Sequence, residues 1–150
     1  MLQATRTSIW RGGYEIVADG RPITTWNPKL WRTGGDFVLG GRQYQVRSNG
    51  WGSRYSMEDG SGMTVASAER VGRKEWTISS DGQVYRFRRV SIWRHEEELL
   101  SGDGRIGSVR RLSVWRSDTV ADLPGLPLPV QVFALGVIVT TWDNQAAGSA

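Results

Sequence analysis

The 150-residue chain has no cysteine and a single histidine, His95. The first absence removes disulfides, thiolate nucleophiles, thiolate zinc sites and iron–sulfur ligation together. The second removes most imidazole chemistry. Apolar runs are short: none reaches the roughly 20 residues of a membrane-spanning helix. Residues 1–13 carry only isolated apolar side chains among Thr, Arg and Gly, not the apolar stretch of a secretory signal. These features set the expectation of a cytoplasmic protein, at most peripheral at a membrane. With no Cys for prenyl or palmitoyl chains and no Gly after Met1, any membrane contact is expected to be noncovalent.

The 39% hydrophobic and 23% charged residues suit a single globular domain spanning 1–150. Charge is uneven along the chain, because Arg70, Arg73, Lys74, Arg86, Arg88, Arg89, Arg94, Arg105, Arg110, Arg111 and Arg116 crowd its middle, whereas residues 117–150 have no basic group. An anionic partner fits that middle section. Arginines that keep the outer face of a sheet wetted and discourage edge pairing explain it equally simply.

Alternation of apolar and polar residues dominates from Tyr14 to Arg116, the pattern of short antiparallel strands. It predicts strands at 14–18, 21–26, 29–33, 36–39, 42–47, 53–58, 63–69, 74–79, 83–90, 92–100, 105–109 and 112–116. Between them stand turn pairs such as Asp19-Gly20, Gly40-Gly41, Asp81-Gly82 and Asp103-Gly104, which suit tight hairpins. So many strands in one small domain must close or fold onto themselves, as a barrel or a sandwich.

The pattern changes after residue 121. Three of the five prolines punctuate residues 123–129, and Pro129 suits the first turn of a helix. Residues 130–142 are then almost wholly apolar, with Val130, Val132, Phe133, Leu135, Val137 and Ile138 covering every side of a helix. Such a helix, expected over 128–141, must be buried all round. Its β-branched content leaves a central strand as the alternative. Residues 143–150 are polar and small and are expected to fray. A tetrad also recurs, as Ser8-Ile9-Trp10-Arg11, Ser91-Ile92-Trp93-Arg94 and Ser113-Val114-Trp115-Arg116, with a looser relative in Lys29-Leu30-Trp31-Arg32. Its spacing is irregular, so it reads as recurring strand chemistry and not as a repeat architecture.

Hairpins followed by an all-round apolar helix resemble the tubby-like fold, shared by tubby, the phospholipid scramblases and the LURP-one-related proteins. Local motifs are similar to the LURP-one-related group: Trp76-Thr77-Ile78 before a turn, Tyr85-Arg86-Phe87, the hairpin Leu100-Ser101-Gly102-Asp103-Gly104-Arg105-Ile106-Gly107, and the apolar finale from Leu128 to Trp142. The resemblance implies an all-β fold with one helix: a closed antiparallel β-barrel of about twelve strands enclosing a C-terminal hydrophobic helix. Scramblase-type members are associated with an acidic calcium-binding stretch and a Cys-rich palmitoylation segment, and neither is present in this sequence. Tubby is known for binding phosphoinositides through basic side chains, without position-by-position correspondence to this chain.

Catalytic chemistry finds little support. Gly102-x-Gly104-x-x-Gly107 has dinucleotide-fingerprint spacing but leads into a strand pattern where that motif needs a helix. His95 and Glu97 make two potential ligands where a catalytic zinc takes three. No Gly-x-Ser-x-Gly elbow occurs. The expectation is a non-enzymatic module without cofactor or metal.

The positive lead lies on the paired hairpins. With Tyr85 and Phe87 turned inward, Arg86 and Arg88 point out. With Leu112 and Val114 inward, Arg111 and Trp115 join them outside. Arg86, Arg88, Arg111 and Trp115 are therefore the candidate site for a phosphate head group, three guanidinium groups beside an interfacial indole. Core candidates are Tyr85, Phe87, Leu112, Val114, Phe133, Leu135, Val137 and Ile138. The expected partner is anionic membrane lipid; the alternative is a protein docked on exposed Trp and Arg. Nucleic acid ranks below both, because no helix is free to enter a groove.

Overall fold

A computed structural model describes residues 1–7, 13–29, 34–91, 94–112 and 118–148, and the side chains of these residues except 147 and 148. Twelve strands follow one another: β1 (Leu2–Arg6), β2 (Tyr14–Ala18), β3 (Arg21–Pro28), β4 (Gly34–Leu39), β5 (Arg42–Ser48), β6 (Arg54–Glu58), β7 (Thr64–Glu69), β8 (Glu75–Ser80), β9 (Gln83–Ser91), β10 (Glu96–Ser101), β11 (Gly104–Arg111) and β12 (Thr119–Asp122). One helix, α1 (Leu128–Gly148), ends the chain. Each strand pairs antiparallel with its sequence neighbours, and β1 closes the ring on β12 with Leu2 opposite Ala121 and Ala4 opposite Thr119. Among the described residues every strand has a partner on both sides, β3 and β4 meeting only at Asn27–Asp36 and Pro28–Gly35.

Period-two alternation sorts the side chains. On β5, Tyr44 and Val46 are buried while Gln43, Gln45 and Arg47 are exposed. Tyr14 and Ile16, Tyr55 and Met57, and Trp76 and Ile78 repeat the pattern on β2, β6 and β8. Asp19-Gly20 and Asp81-Gly82 both take positive φ at two successive residues (49° and 82°; 50° and 76°), the backbone of tight hairpin turns.

The helix lies in the same core as the inward faces of the strands. Val132, Phe133, Ala134, Leu135 and Val137 are completely buried, so its apolar girth meets barrel wall on every side. At 21 residues it extends about 31 Å. Gly136 sets its depth against β3, because a Cβ there would lie 2.5 Å from ring atoms of Trp26. Gly35 crowds the same indole from β4, at 2.6 Å. Trp26 thus fills a slot that two glycines leave open.

Four expectations change. The helix does not stop at 141 with a frayed 143–150 tail; it continues through Gly148, and Asp143 in its last turns is held by Arg6 and Tyr14. Residues 149 and 150 lie outside the described residues. β1 and β12 were not anticipated, whereas the expected strands at 29–33 and 112–116 fall mostly outside the described residues, with Lys29 beyond β3 and Leu112 beyond β11. Leu112 is 54% exposed and is not core; Val114 lies outside the described residues. Tyr85 is only partly buried against the core, while Phe87 is fully in it. Among the described residues no helix is long and apolar enough to cross a membrane.

Candidate ligand-binding site at the basic end of the barrel

The meander assigns alternate connections to opposite ends of the barrel. At one end the strands are joined by residues 19–20, 40–41, 59–63, 81–82 and 102–103, and residues 123–127 lead from β12 into α1. These contain Asp19, Asp59, Asp81 and Asp103 and no basic residue. At the other end, where α1 finishes, the connections are 7–13, 29–33, 49–53, 70–74, 92–95 and 112–118. Their sequences contain Arg11, Lys29, Arg32, Arg70, Arg73, Lys74, Arg94 and Arg116 against Asp118 alone. The connections are thus acidic in sequence at one end and basic at the other, while Arg21 and Arg42 begin β3 and β5 at the acidic end.

Tryptophan is divided between the core and the connections. Trp26, Trp76 and Trp142 are core residues. The other five, Trp10, Trp31, Trp51, Trp93 and Trp115, fall in the sequence between the strands. Of these only Trp51 is among the described residues, and it is 91% exposed. A tight turn needs Asp, Asn or Gly and little else; these connections carry large apolar and cationic side chains beyond that need.

Inside the basic mouth, the last turns of α1 are tied to the wall. Asp143 Oδ1 accepts from Arg6 Nη2 at 2.8 Å, and Oδ2 accepts from the Tyr14 hydroxyl at 3.0 Å. Arg111 Nη2 stands 3.7 Å from the same carboxylate. Burial, reinforced by the Asp143 charge, pushes the Tyr14 hydroxyl pKa up. Trp142 is stacked on His95 (ring centroids 5.0 Å apart, 22° between planes) and lies 5.2 Å from the Arg111 guanidinium carbon. Arg111 Nη1 donates to His95 Nδ1 at 3.0 Å. Burial and the Arg111 charge hold the imidazole pKa below its ordinary value, so the ring is neutral at pH 7 with its proton on Nε2.

Beside Trp142 a crevice of about 220 Å³ is lined by Arg89, Ser91, Arg94, His95, Trp142 and Gln145. Arg89 comes from the inward face of β9, and Arg94 and His95 precede β10. Two guanidinium groups and an imidazole N–H beside an indole make a wall of donors with one aromatic surface, suited to an anionic oxygen cluster on an organic group.

The residues expected from the sequence are divided. Arg86 and Arg88 do share the outer face of β9. Arg88 is taken up by Glu98, whose Oε2 accepts from its Nη2 at 2.8 Å and its Nε at 3.2 Å, while Arg105 approaches Glu98 Oε1 at 3.7 Å. Arg86 is exposed and donates Nη1 to the Gly102 carbonyl at 3.3 Å. Arg111 does not join them: its side chain is 10% exposed and enters the mouth of the barrel. The physical reason is parity, since Val109 is the last apolar residue facing inward on β11 and Arg111 follows it by two. Trp115 lies outside the described residues. Arg89, Arg94, Gln145 and Trp142 were not anticipated; the signal that places Arg89 was Phe87, two residues earlier on the inward face.

Among the described residues no three His or acidic side chains converge as a metal-ligand set. Comparison with protein-family models, with curated proteins and with solved structures found no match to this chain.

Proposed function

We propose that the protein is a non-enzymatic module of the tubby-like group that recognises anionic phospholipid head groups at a membrane surface, using the basic end of the barrel and not the outside of β9. The carrying observation is the axial polarity: Arg70, Arg73, Lys74 and Arg94 at one end and aspartate turns at the other. A negatively charged plane orients such a molecule before contact, with the acidic end away. Trp51, exposed at the same end, adds an aromatic anchor of the kind found at membrane interfaces. A twelve-stranded barrel around a C-terminal helix is also what the tubby-like resemblance implies.

Cosedimentation with phosphatidylcholine vesicles and with vesicles containing phosphatidylglycerol, at two salt concentrations, tests this. The expected result is binding to the anionic vesicles only, reduced by salt and by Arg73→Ala/Lys74→Ala/Arg94→Ala. Arg86→Ala/Arg88→Ala should bind like the parent. A folded protein that ignores both vesicles at low salt overturns the reading in favour of a protein partner docked on the same Trp51-bearing end.

A further inference from the structure

The crevice beside Trp142 adjoins a second, narrower space lined by a carboxyl that surface attraction leaves unused. A narrower space of about 20 Å³ shares Arg89, Trp142 and Gln145 with the larger one and reaches Trp76 and Glu97. The outer space of about 220 Å³ accommodates a phosphate ester. The inner one holds a single group the size of a water molecule.

The two spaces offer opposite chemistry. In the outer one, Arg89 and Arg94 have no carboxylate within 4 Å among the described residues, and His95, whose Nδ1 accepts from Arg111, lines the same space. In the inner one stands Glu97, only 7% exposed. Its Oε1 accepts from Trp76 Nε1 at 2.6 Å, while its Oε2 is buried without a hydrogen-bond partner. Of the groups lining this inner space, Arg89 from β9 and Arg73 from the 70–74 connection are charged. The helix contributes Ile138, Thr141, Trp142 and Gln145, and β8 contributes Trp76, all uncharged. Arg89 is directed elsewhere in part, donating Nη1 to the Gly72 carbonyl at 3.5 Å. A buried carboxyl oxygen in this state is best complemented by a compact donor that carries positive charge.

We propose that the crevice is a selective site for a phosphate ester bearing a primary ammonium group, with the phosphate on Arg89 and Arg94 and the ammonium on Glu97 Oε2. The proposal rests on the reading that the basic end takes phosphate-type head groups, and it specifies which. A trimethylammonium has no N–H to donate and exceeds the inner space. Inorganic phosphate fills only the outer part. Burial holds the free Glu97 carboxyl at a pKa of about 7, so an ammonium that keeps it ionised displaces a proton on binding near neutral pH.

Calorimetric titration of the full chain with inorganic phosphate, phosphocholine and phosphoethanolamine is the test. Phosphoethanolamine should bind about tenfold or more tightly than phosphocholine, the effect of one charge-assisted hydrogen bond. At pH 7 its binding should release protons, read from buffers of different ionisation enthalpy. Glu97→Gln should erase the preference and the proton release while retaining phosphate binding; Arg89→Ala should weaken all three. Equal affinities for the two esters, or no binding of any probe, overturn the proposal, and this comparison needs no variant to fold. Adding phosphatidylethanolamine to the anionic vesicles identifies the source: increased binding supports a lipid head group. A phosphoethanolamine preference in solution without vesicle binding supports the site and overturns the membrane reading alone.

Discussion

Replacing Glu97 by Gln should flatten the pH dependence of folding stability between pH 5 and 8. In the unfolded chain the carboxyl titrates near 4.5; in the fold, burial against the barrel mouth raises it to about 7, despite the Trp76 hydrogen bond and the Arg89 charge. Between these values the folded state holds a proton that the unfolded state has released. The stabilisation linked to that proton is therefore complete below pH 4.5, and it is lost as pH rises through 7. At roughly 1.4 kcal/mol per pKa unit the total is about 3 kcal/mol, a large share of a small domain's stability. Gln is neutral throughout and its side-chain carbonyl can still accept from Trp76. Urea unfolding followed by far-ultraviolet circular dichroism at pH 5, 6, 7 and 8 gives the two profiles. Subtracting one from the other cancels the remaining carboxylates and leaves a slope that belongs to residue 97. The variant should gain on the parent by roughly 1.4 kcal/mol for each pH unit up to 7. Parallel profiles would refute the argument, because they would mean that Glu97 titrates as a solvated carboxyl.

Other consequences concern the barrel and its plug. Gly136→Ala should destabilise by about 1–3 kcal/mol in thermal or chemical unfolding, since the added methyl meets the Trp26 ring at 2.5 Å and Gly35 leaves that ring no retreat; a gain from helix propensity alone would contradict the slot. Leu135→Asp should abolish soluble expression, because an unpaired carboxylate in a completely buried position costs several kcal/mol. Asp143→Ala should remove about 1–3 kcal/mol and speed amide exchange in the last two turns of α1, by leaving Arg6 and Arg111 without their shared carboxylate; unchanged exchange would show that the mouth does not hold the helix.

The architecture was legible because its signals are local. Asp-Gly and Gly-Gly pairs marked the hairpins, alternation on β9 put Phe87 inward with Arg86 and Arg88 outside, and the uniform apolarity of residues 130–142 demanded burial on all sides. What escaped was weakly patterned. β12 has four residues, and β1 has only Leu2 and Ala4 as inward apolar positions; their pairing depends on each other across the whole chain. The helix end escaped because residues 143–148 are polar or small. Its stability comes from Arg6 and Tyr14, which are far away in sequence. Of the candidate site, alternation on β9 placed Arg86 and Arg88 outside, as they are; taking Leu112 and Val114 as inward put Arg111 outside too, whereas β11 ends at Arg111 and keeps Val109's parity. The axial polarity was open to reading once the hairpins were assigned, since alternate connections of a meander must fall at opposite ends. Glu97 stood out in the sequence only as a neighbour of His95; among three successive glutamates nothing local marked it as buried, and its inward position on β10 sets it apart.

Because the chain has no cysteine, one introduced residue can carry an environment-sensitive fluorophore at a single known place. Thr7→Cys marks the basic end and Met63→Cys the acidic end, both at exposed positions. On phosphatidylglycerol-containing vesicles at low salt, the account predicts a blue shift and brighter emission from the label at 7 and no change at 63, with the shift at 7 reversed by high salt. A shift at 63, or equal shifts at both, would contradict recognition through the basic end.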